Sequence, residues 1–202
     1  MTGAVEPPAT GRVYSDEDWY GEDLSGRTFI GCRFEDCDLT EVVSTSATFE
    51  ECEFVRCRLN ASTHRHTVLA RCVFRRTSLF SARLHDCRLV GSTFDTCTLR
   101  PLTVTGGDWS FVSLSGAKLA GVDLAGVRLE EADLSAADLT DVVLRGARLS
   151  RALLSGARLT RADLRRADLS GVDLTDLRWD KTTLDPQQAL LVAAGLGIVV
   201  DD

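Results

Sequence analysis

The stretch EADLSAADLTDVVLRGARLS, residues 131–150, sets Leu134, Leu139, Leu144 and Leu149 five residues apart. Ala132, Ala137, Val142 and Ala147 stand two places before each of them. Both registers extend outward in both directions. From Trp19 to Leu184 there are 34 positions at this spacing, and only Ser44 and His64 among them are not apolar. The register two places earlier holds small side chains, beginning with Cys32, Cys37, Val42, Ala47, Cys52 and Cys57. A period of five fits neither the 3.6 of a helix nor the 2 of a free strand. The chain therefore reads as a repeat architecture.

If each five-residue unit is one side of a square coil, the large residue and the small one before it point inward and the other three face water. Four units close a coil, and successive coils stack like neighbouring strands, so backbone groups pair with the coils on either side. The interior becomes four ladders in which Leu and Phe interlock with Ala, Val and Cys, a quasi-one-dimensional solenoid. At ~4.8 Å per coil the 34 units make about eight and a half coils, a rod of roughly 40 Å.

Ala132-Asp133-Leu134-Ser135, Ala137-Asp138-Leu139-Thr140, Ala162-Asp163-Leu164-Arg165 and Ala167-Asp168-Leu169-Ser170 resemble the A(D/N)LXX unit of the pentapeptide-repeat family. The resemblance covers roughly residues 19–184 and implies an all-β fold, a right-handed quadrilateral β-helix. The expected organisation is a disordered lead over 1–15, the β-helix over 16–184, and a capping and dimerising tail over 185–202. In that tail Asp185-Pro186 reads as an N-cap with Pro at N1, and Gly195 as the stop of a short α-helix. Leu196 to Val200 reads as a short strand. Leu190, Leu191, Leu196, Ile198 and Val199 are more apolar than a cap requires and are the expected homodimer interface.

Charge is unevenly distributed. The net charge is −7. Residues 1–54 carry 13 acids and 3 bases, residues 55–100 carry 2 and 9, and residues 101–202 carry 15 and 11. The rod is thus expected to be acidic, then basic, then mixed, and non-specific nucleic-acid binding is not favoured. All seven Cys occupy the small inward register and no CxxC pair exists. They read as small buried hydrophobes in a reducing, cytoplasmic compartment, not as disulfides or a metal site. Met1 to Gly11 does not read as an export signal, and the apolar run Ala189–Val200 is too short to span a membrane.

Breaks in the pattern are the first places to look for function. Ser44 and His64 are twenty residues apart and should be neighbours in adjacent coils. His64 reads either as a hydrogen-bonded core histidine or as a distortion that turns it outward. With His66 and His85 nearby it still lacks the ligand set of a zinc site. Pro101, with Leu102 in a small slot, marks a distorted corner and an expected kink of the rod. Gly107 fills the next small slot, beside Trp109. No phosphate loop, HExxH or GxSxG motif occurs, so the chain reads as a non-enzyme with no cofactor and no small-molecule substrate.

Cys97-Thr98-Leu99-Arg100-Pro101-Leu102-Thr103 and the tail Leu184-Asp185-Pro186-Gln187-Gln188-Ala189 resemble more narrowly the MfpA/Qnr-type branch of the family. That resemblance implies a dimeric rod that imitates a DNA segment and occupies a DNA site on DNA gyrase, a type II topoisomerase. It also implies a cis peptide at Pro101 and fluoroquinolone or gyrase-poison resistance. Duplex DNA of ~40 Å carries about 24 charges at one per ~1.7 Å, so a chain of −7 can imitate DNA only locally. The candidate gyrase-facing set is Glu130, Glu131, Asp133, Asp138, Asp141, Asp163, Asp168, Asp173 and Asp176. A second acidic set lies at the N-terminal end, among Asp16, Glu17, Asp18, Glu35, Asp36, Asp38, Glu41, Glu50, Glu51 and Glu53. The alternative is a scaffold that binds another protein through the Arg-rich middle.

Overall fold

The computed structural model describes residues 7–200. Its chain winds into coils that pair in parallel at a constant offset of twenty residues, from Ala9↔Phe29 to Asp163↔Thr183. Each coil has four sides, numbered here by the large inward residue of the first coil: side I from Ala9, II from Tyr14, III from Trp19 and IV from Leu24. Side I begins with the parallel strands Ala9–Thr10, Thr28–Ile30, Thr48–Glu50 and Val68–Ala70. Side II holds Val13–Ser15, Arg33–Glu35, Glu53–Val55, Val73–Arg75 and Thr93–Asp95. Side IV holds Val43–Thr45, Thr63–Arg65, Arg83–His85 and Thr103–Thr105, while side III is joined by single bridges such as Asp38↔Arg58 and Ser78↔Thr98. Past Thr105 all four sides use single bridges. The fold is a right-handed quadrilateral β-helix closed by one short helix.

The interior follows directly from the two registers. On side II, Tyr14, Phe34, Phe54, Phe74 and Phe94 stack ring on ring, with centroids 4.7 Å apart for the last pair. That spacing is the coil repeat of a parallel ladder. From Leu114 on, Leu replaces Phe, and Leu119, Leu124, Leu129, Leu134 and Leu139 are fully buried. Each such side chain stabilises the rod by roughly 1.5–3 kcal/mol.

Two corner types explain which small residue is used. In the C-terminal half the corner is a tight turn: the small residue's N–H bonds the carbonyl of the large residue before it, as Ala117 N to Leu114 O and Val122 N to Leu119 O, both 3.0 Å. Ala or Val then suffices. In the strand-type corners that carbonyl is bonded instead by a side chain from the next coil. Cys52 Sγ donates to Phe29 O (3.4 Å), Cys57 Sγ to Phe34 O (3.3 Å) and Thr77 Oγ1 to Phe54 O (3.0 Å). All seven Cys thiols donate in this way and none forms a disulfide. They are hydrogen-bond donors as well as small apolar fillers. Up to Gly171 the outward residue two past a large one has a left-handed backbone wherever it is not Pro, as at Gly121 (φ 75°) and Asp36 (φ 55°). Pro101 stands in that slot, which its ring excludes, and the Arg100–Pro101 peptide is cis.

Both ends differ from the sequence expectation. The solenoid begins before residue 16: Ala9–Thr10 and Val13–Ser15 pair with the next coil, because Ala9 and Tyr14 continue the inward register. The rest of the expected lead, residues 1–6, lies outside the described residues, as do Asp201 and Asp202. At the other end the helix spans Pro186–Gly195 behind a capping box of Asp185 and Gln188. Gln188 also donates through Nε2 to Leu164 O and Ala167 O (2.9 Å), closing carbonyls of the last coil. Gly195 is helical. The stop is a Schellman-type turn at the left-handed Gly197, with Gly197 N bonding Ala194 O and Ile198 N bonding Ala193 O. That turn uses the amides a strand would need, and no strand forms over 196–200.

Gly107 is the tightest point of the rod. An added Cβ would lie 2.4 Å from the Cys87 carbonyl oxygen, at φ +100°. The close approach lets Trp109 lie buried against neighbouring coils. Gly107→Ala is expected to cost about 2 kcal/mol or more, read as a lower urea midpoint. Gly121→Ala, with nothing within 4 Å, should cost only about 1 kcal/mol for its positive φ.

Candidate docking surface

Outward residues also repeat every twenty positions, so the charges of successive coils stand beside each other. The Arg-rich middle is explained by this offset. Arg56 bonds Asp36 (2.8 and 2.7 Å) and Glu35 (2.7 Å), Arg58 bonds Asp38 (2.8 Å), and Arg71 bonds Glu50 and Glu51. Arg33 bridges Glu35 and Glu53. The basic middle therefore neutralises much of the N-terminal acidic set, leaving Asp16, Glu17, Asp18 and Glu41 with no ion pair among the described residues. Arg65, Arg76, Arg83 and Arg88 likewise have none there.

The nine acids expected to form one surface are divided among four sides. On side I, Glu131 is paired by Arg151, and Glu130 lies within 4 Å of Arg128 (3.8 Å) and Arg148 (3.9 Å). Asp168, on the same side, is held below the ordinary range first by the Ser170 hydroxyl and then by Ser170 N, which donates to it at 3.0 Å. On side III, Arg161 bonds both oxygens of Asp141 at 2.6 Å and lowers its pKa. Asp138 has Lys118 and Arg158 as its coil neighbours and is held low first by Thr140. On side IV, Arg165 (2.7 Å) and Arg145 (2.9 Å) hold Asp163 far below the usual carboxylate range.

Asp133, Asp173 and Asp176 are different. All three project from side II, and none has an ion pair among the described residues. From Thr93 to Asp176 the outward positions of side II carry four Asp and no Lys or Arg. The residues between them are small: Ser113, Ser115, Gly116, Ser135, Ala136, Ser155 and Gly156. Leu153 stands on this flat strip, 58% exposed. Asp133 and Asp173 accept from the amide two residues on (both 3.0 Å), which fixes their carboxylates in outward turns. Sequence reasoning selected these acids by number and missed the strip, because the signal is the absence of bases in one column of period twenty.

The polar break in the core forms a closed network. Ser44 Oγ lies 2.6 Å from His64 Nδ1 and 2.9 Å from Thr67 Oγ1, and His64 Nε2 lies 3.0 Å from Ser62 Oγ. Ser62 donates onward to Leu59 O at 2.7 Å. With Ser62 donating there, the network assigns the proton to Nε2 and leaves Nδ1 to accept from Ser44. His64 is buried and hydrogen-bonded, not turned outward. Among the described residues no group of three His, Cys, Asp or Glu side chains is arranged to hold a metal ion.

Burial lowers the His64 pKa from 6.5 to about 4. The unfolded chain therefore binds this proton first as pH falls. The stabilisation is fully present above pH 6.5 and is lost on descent to about pH 4. It amounts to about 3 kcal/mol at ~1.4 kcal/mol per unit. Urea unfolding of wild type and His64→Leu at pH 7 and pH 4.5 checks this: the pH-dependent loss should be clearly smaller in the variant.

Comparison with known proteins places this geometry. The family model described as "Pentapeptide repeats" matches residues 110–146 and 137–176, and "Pentapeptide repeat region" matches 47–124. The pentapeptide repeat protein MfpA of Mycobacterium tuberculosis is 39% identical over 91 residues, 45% of this chain and 50% of that one. The match thus spans about half the length of this curated relative. Two trypsin-treated structures of QnrB1, described as a plasmid-mediated fluoroquinolone resistance protein, superpose with TM-scores of 0.77 and 0.73. They are 22% and 23% identical and cover 96% and 98% of this chain, and 97% and 100% of their own. The matches cover the stretch in which this chain repeats a small and a large inward residue every five positions, and the chain belongs to the pentapeptide-repeat family.

Proposed function

We propose that the chain is a DNA-mimicking protein that docks on DNA gyrase, or a related type II topoisomerase, through the base-free strip of side II. In doing so it modulates the enzyme and confers resistance to a fluoroquinolone or another gyrase poison. The observation that carries this reading is the segregation of charge. On the other three sides Glu130, Glu131, Asp141 and Asp163 are paired by Arg and the remaining acids share their columns with Lys or Arg, while Asp133, Asp173 and Asp176 stay unpaired in a column without bases. Negative charge displayed on one side of a rod is what a basic DNA-binding groove accepts. Leu153 supplies an apolar anchor at its centre. The likeness to MfpA and QnrB1 supports the same reading. The reading includes a cytoplasmic location, where a partner acting on the chromosome would be met. The alternative is a scaffold contacting another protein through the unpaired Arg65, Arg76, Arg83 and Arg88.

A gyrase supercoiling assay, with and without a fluoroquinolone, tests the reading. Asp133→Asn, Asp173→Asn and Asp176→Asn together keep the turn-forming oxygens and remove only charge. The triple variant should act at least about tenfold more weakly, a loss of about 1.4 kcal/mol. Asp141→Asn with Asp163→Asn should change little. An effect from the second pair alone, or none of wild type on gyrase, rejects the proposed surface.

We also propose that the chain is a homodimer through its tail. Leu190, Leu191, Leu196, Ile198 and Val199 are all exposed, Val199 to 88%, although Gln188 and Val192 already seal the solenoid end. A cavity of about 760 Å³ between helix and last coil, lined by Leu169, Leu174 and Leu191, adjoins this patch. Leu190→Asp with Val199→Asp should convert a dimer to a monomer in light scattering at micromolar concentration. A wild-type monomer overturns the assignment.

A further inference from the structure

We infer that the rod carries a hinge at the level of Pro101, opening on sides III and IV and pivoting on sides I and II. Elsewhere along side III successive coils are tied by main-chain bonds such as Leu79 N to Thr98 O (2.8 Å) and Leu119 N to Asp138 O (2.9 Å). Among the described residues the matching bond from Leu99 N to Lys118 O is not formed, nor is Lys118 N to Cys97 O. On side IV, Thr103 N bonds Ala82 O (3.0 Å) and Val143 N bonds Val122 O (3.1 Å), while the intervening Asp123 N to Leu102 O bond is not formed. No bridge joins Thr98 to Lys118 or Thr103 to Asp123, although both flanking coils are bridged. The broken stretch runs from Thr96 to Gly106. Cavities of about 690 and 350 Å³ lie within it, the first walled by Thr96, Thr98 and Leu99 on one lip and Gly116 and Lys118 on the other.

The opposite sides are intact at the same level. Trp109 N bonds Arg128 O (2.8 Å), Phe111 N bonds Glu130 O (2.9 Å), and Phe94 N bonds Ser113 O (3.0 Å). These bonds form a hinge line. The gap does not reach the core, because Leu99 and Leu119 are only 3% and 0% exposed. Bending therefore breaks no hydrogen bond and uncovers little apolar surface, so its free-energy cost is small compared with bending where all four sides are bonded. The cause is local. Pro101 can neither adopt the left-handed corner nor donate an N–H, and Leu102 overfills a slot that from Cys32 to Val172 otherwise takes Gly, Ala, Ser, Cys, Thr or Val. Opening makes sides I and II concave. Side II changes character at this level, from the Arg-bearing column of Arg56, Arg75 and Arg76 to the base-free strip. The hinge thus sets the angle between two differently charged surfaces.

Spin-label distances on the full chain test this without any partner. In a Cys97→Ala background, where the other six Cys are buried, one pair is Arg58→Cys with Arg158→Cys on side III. The other is Thr48→Cys with Arg148→Cys on side I. Both span five coils, roughly 24 Å at ~4.8 Å per coil. The side III distribution should be about twofold broader than that of side I, because collective motion adds to label motion only there. Pro101→Gly, which readmits the left-handed corner, should narrow the side III distribution to the side I width. Equal widths in the Cys97→Ala background overturn the hinge, and that comparison decides even if Pro101→Gly does not fold.

Discussion

The fold depends on one constraint: the inward pair of each five-residue unit must sit on the inward pair of the unit twenty residues away. The stacked rings of Phe34, Phe54 and Phe74, separated by 4.8 Å, and the Leu ladders that follow them are the same contact made repeatedly. Because the stacking distance equals the rung distance of a parallel ladder, side-chain packing and backbone hydrogen bonding favour the same register. A slip of one residue would expel both inward columns at once. The rod therefore tolerates wide variation outside while its inside stays nearly fixed.

That rigidity governs the surface. Columns of period twenty set each outward charge about one coil from the next, so an Arg near that offset from an acid meets it without any designed loop. Single exposed pairs of this kind add at most about 1 kcal/mol to stability. Their larger effect is on the field. Arg56, Arg58 and Arg71 cancel acids of the preceding coils, Arg151 and Arg161 cancel Glu131 and Asp141, and the column without bases keeps its negative potential. A net charge of −7 is too small to imitate DNA all round, so the proposed mimicry rests on the strip of side II.

The period made the solenoid legible from the sequence. Trp19 to Leu184 kept one register, and Asp185-Pro186-Gln187-Gln188 carried the capping box in its own letters. Some features were not legible because two local rules compete there. Leu196 to Val200 is strand-like in composition, but Gly197 takes the left-handed turn that ends the helix. Ala9 and Tyr14 belong to the ladder, although the Pro-containing segment before them reads as a lead. The Cys pattern showed burial, while the thiols' bonds to carbonyls such as Phe29 O depend on a corner geometry that no single unit reveals. The candidate surface was the least legible part, since pairing between coils decides whether an acid remains charged to its surroundings, and Glu131 and Asp133 are only two residues apart.

The irregular middle follows from the same strictness. A lattice with one permitted register cannot absorb a misfit by shifting gradually, because every shift breaks contacts on all four sides. Pro101 and Leu102 are misfits at one corner, and the lattice answers by leaving rungs unmade on sides III and IV while keeping those of sides I and II. Gly107 then brings the chain back against Cys87 at a distance no other residue permits, and Trp109 re-enters the core one side later. The aromatic column of side II ends at Phe94, one coil before the register recovers with Leu. The two halves thus differ in corner type, in small inward residues and in surface charge, and they meet at a level where the ladder is open on sides III and IV.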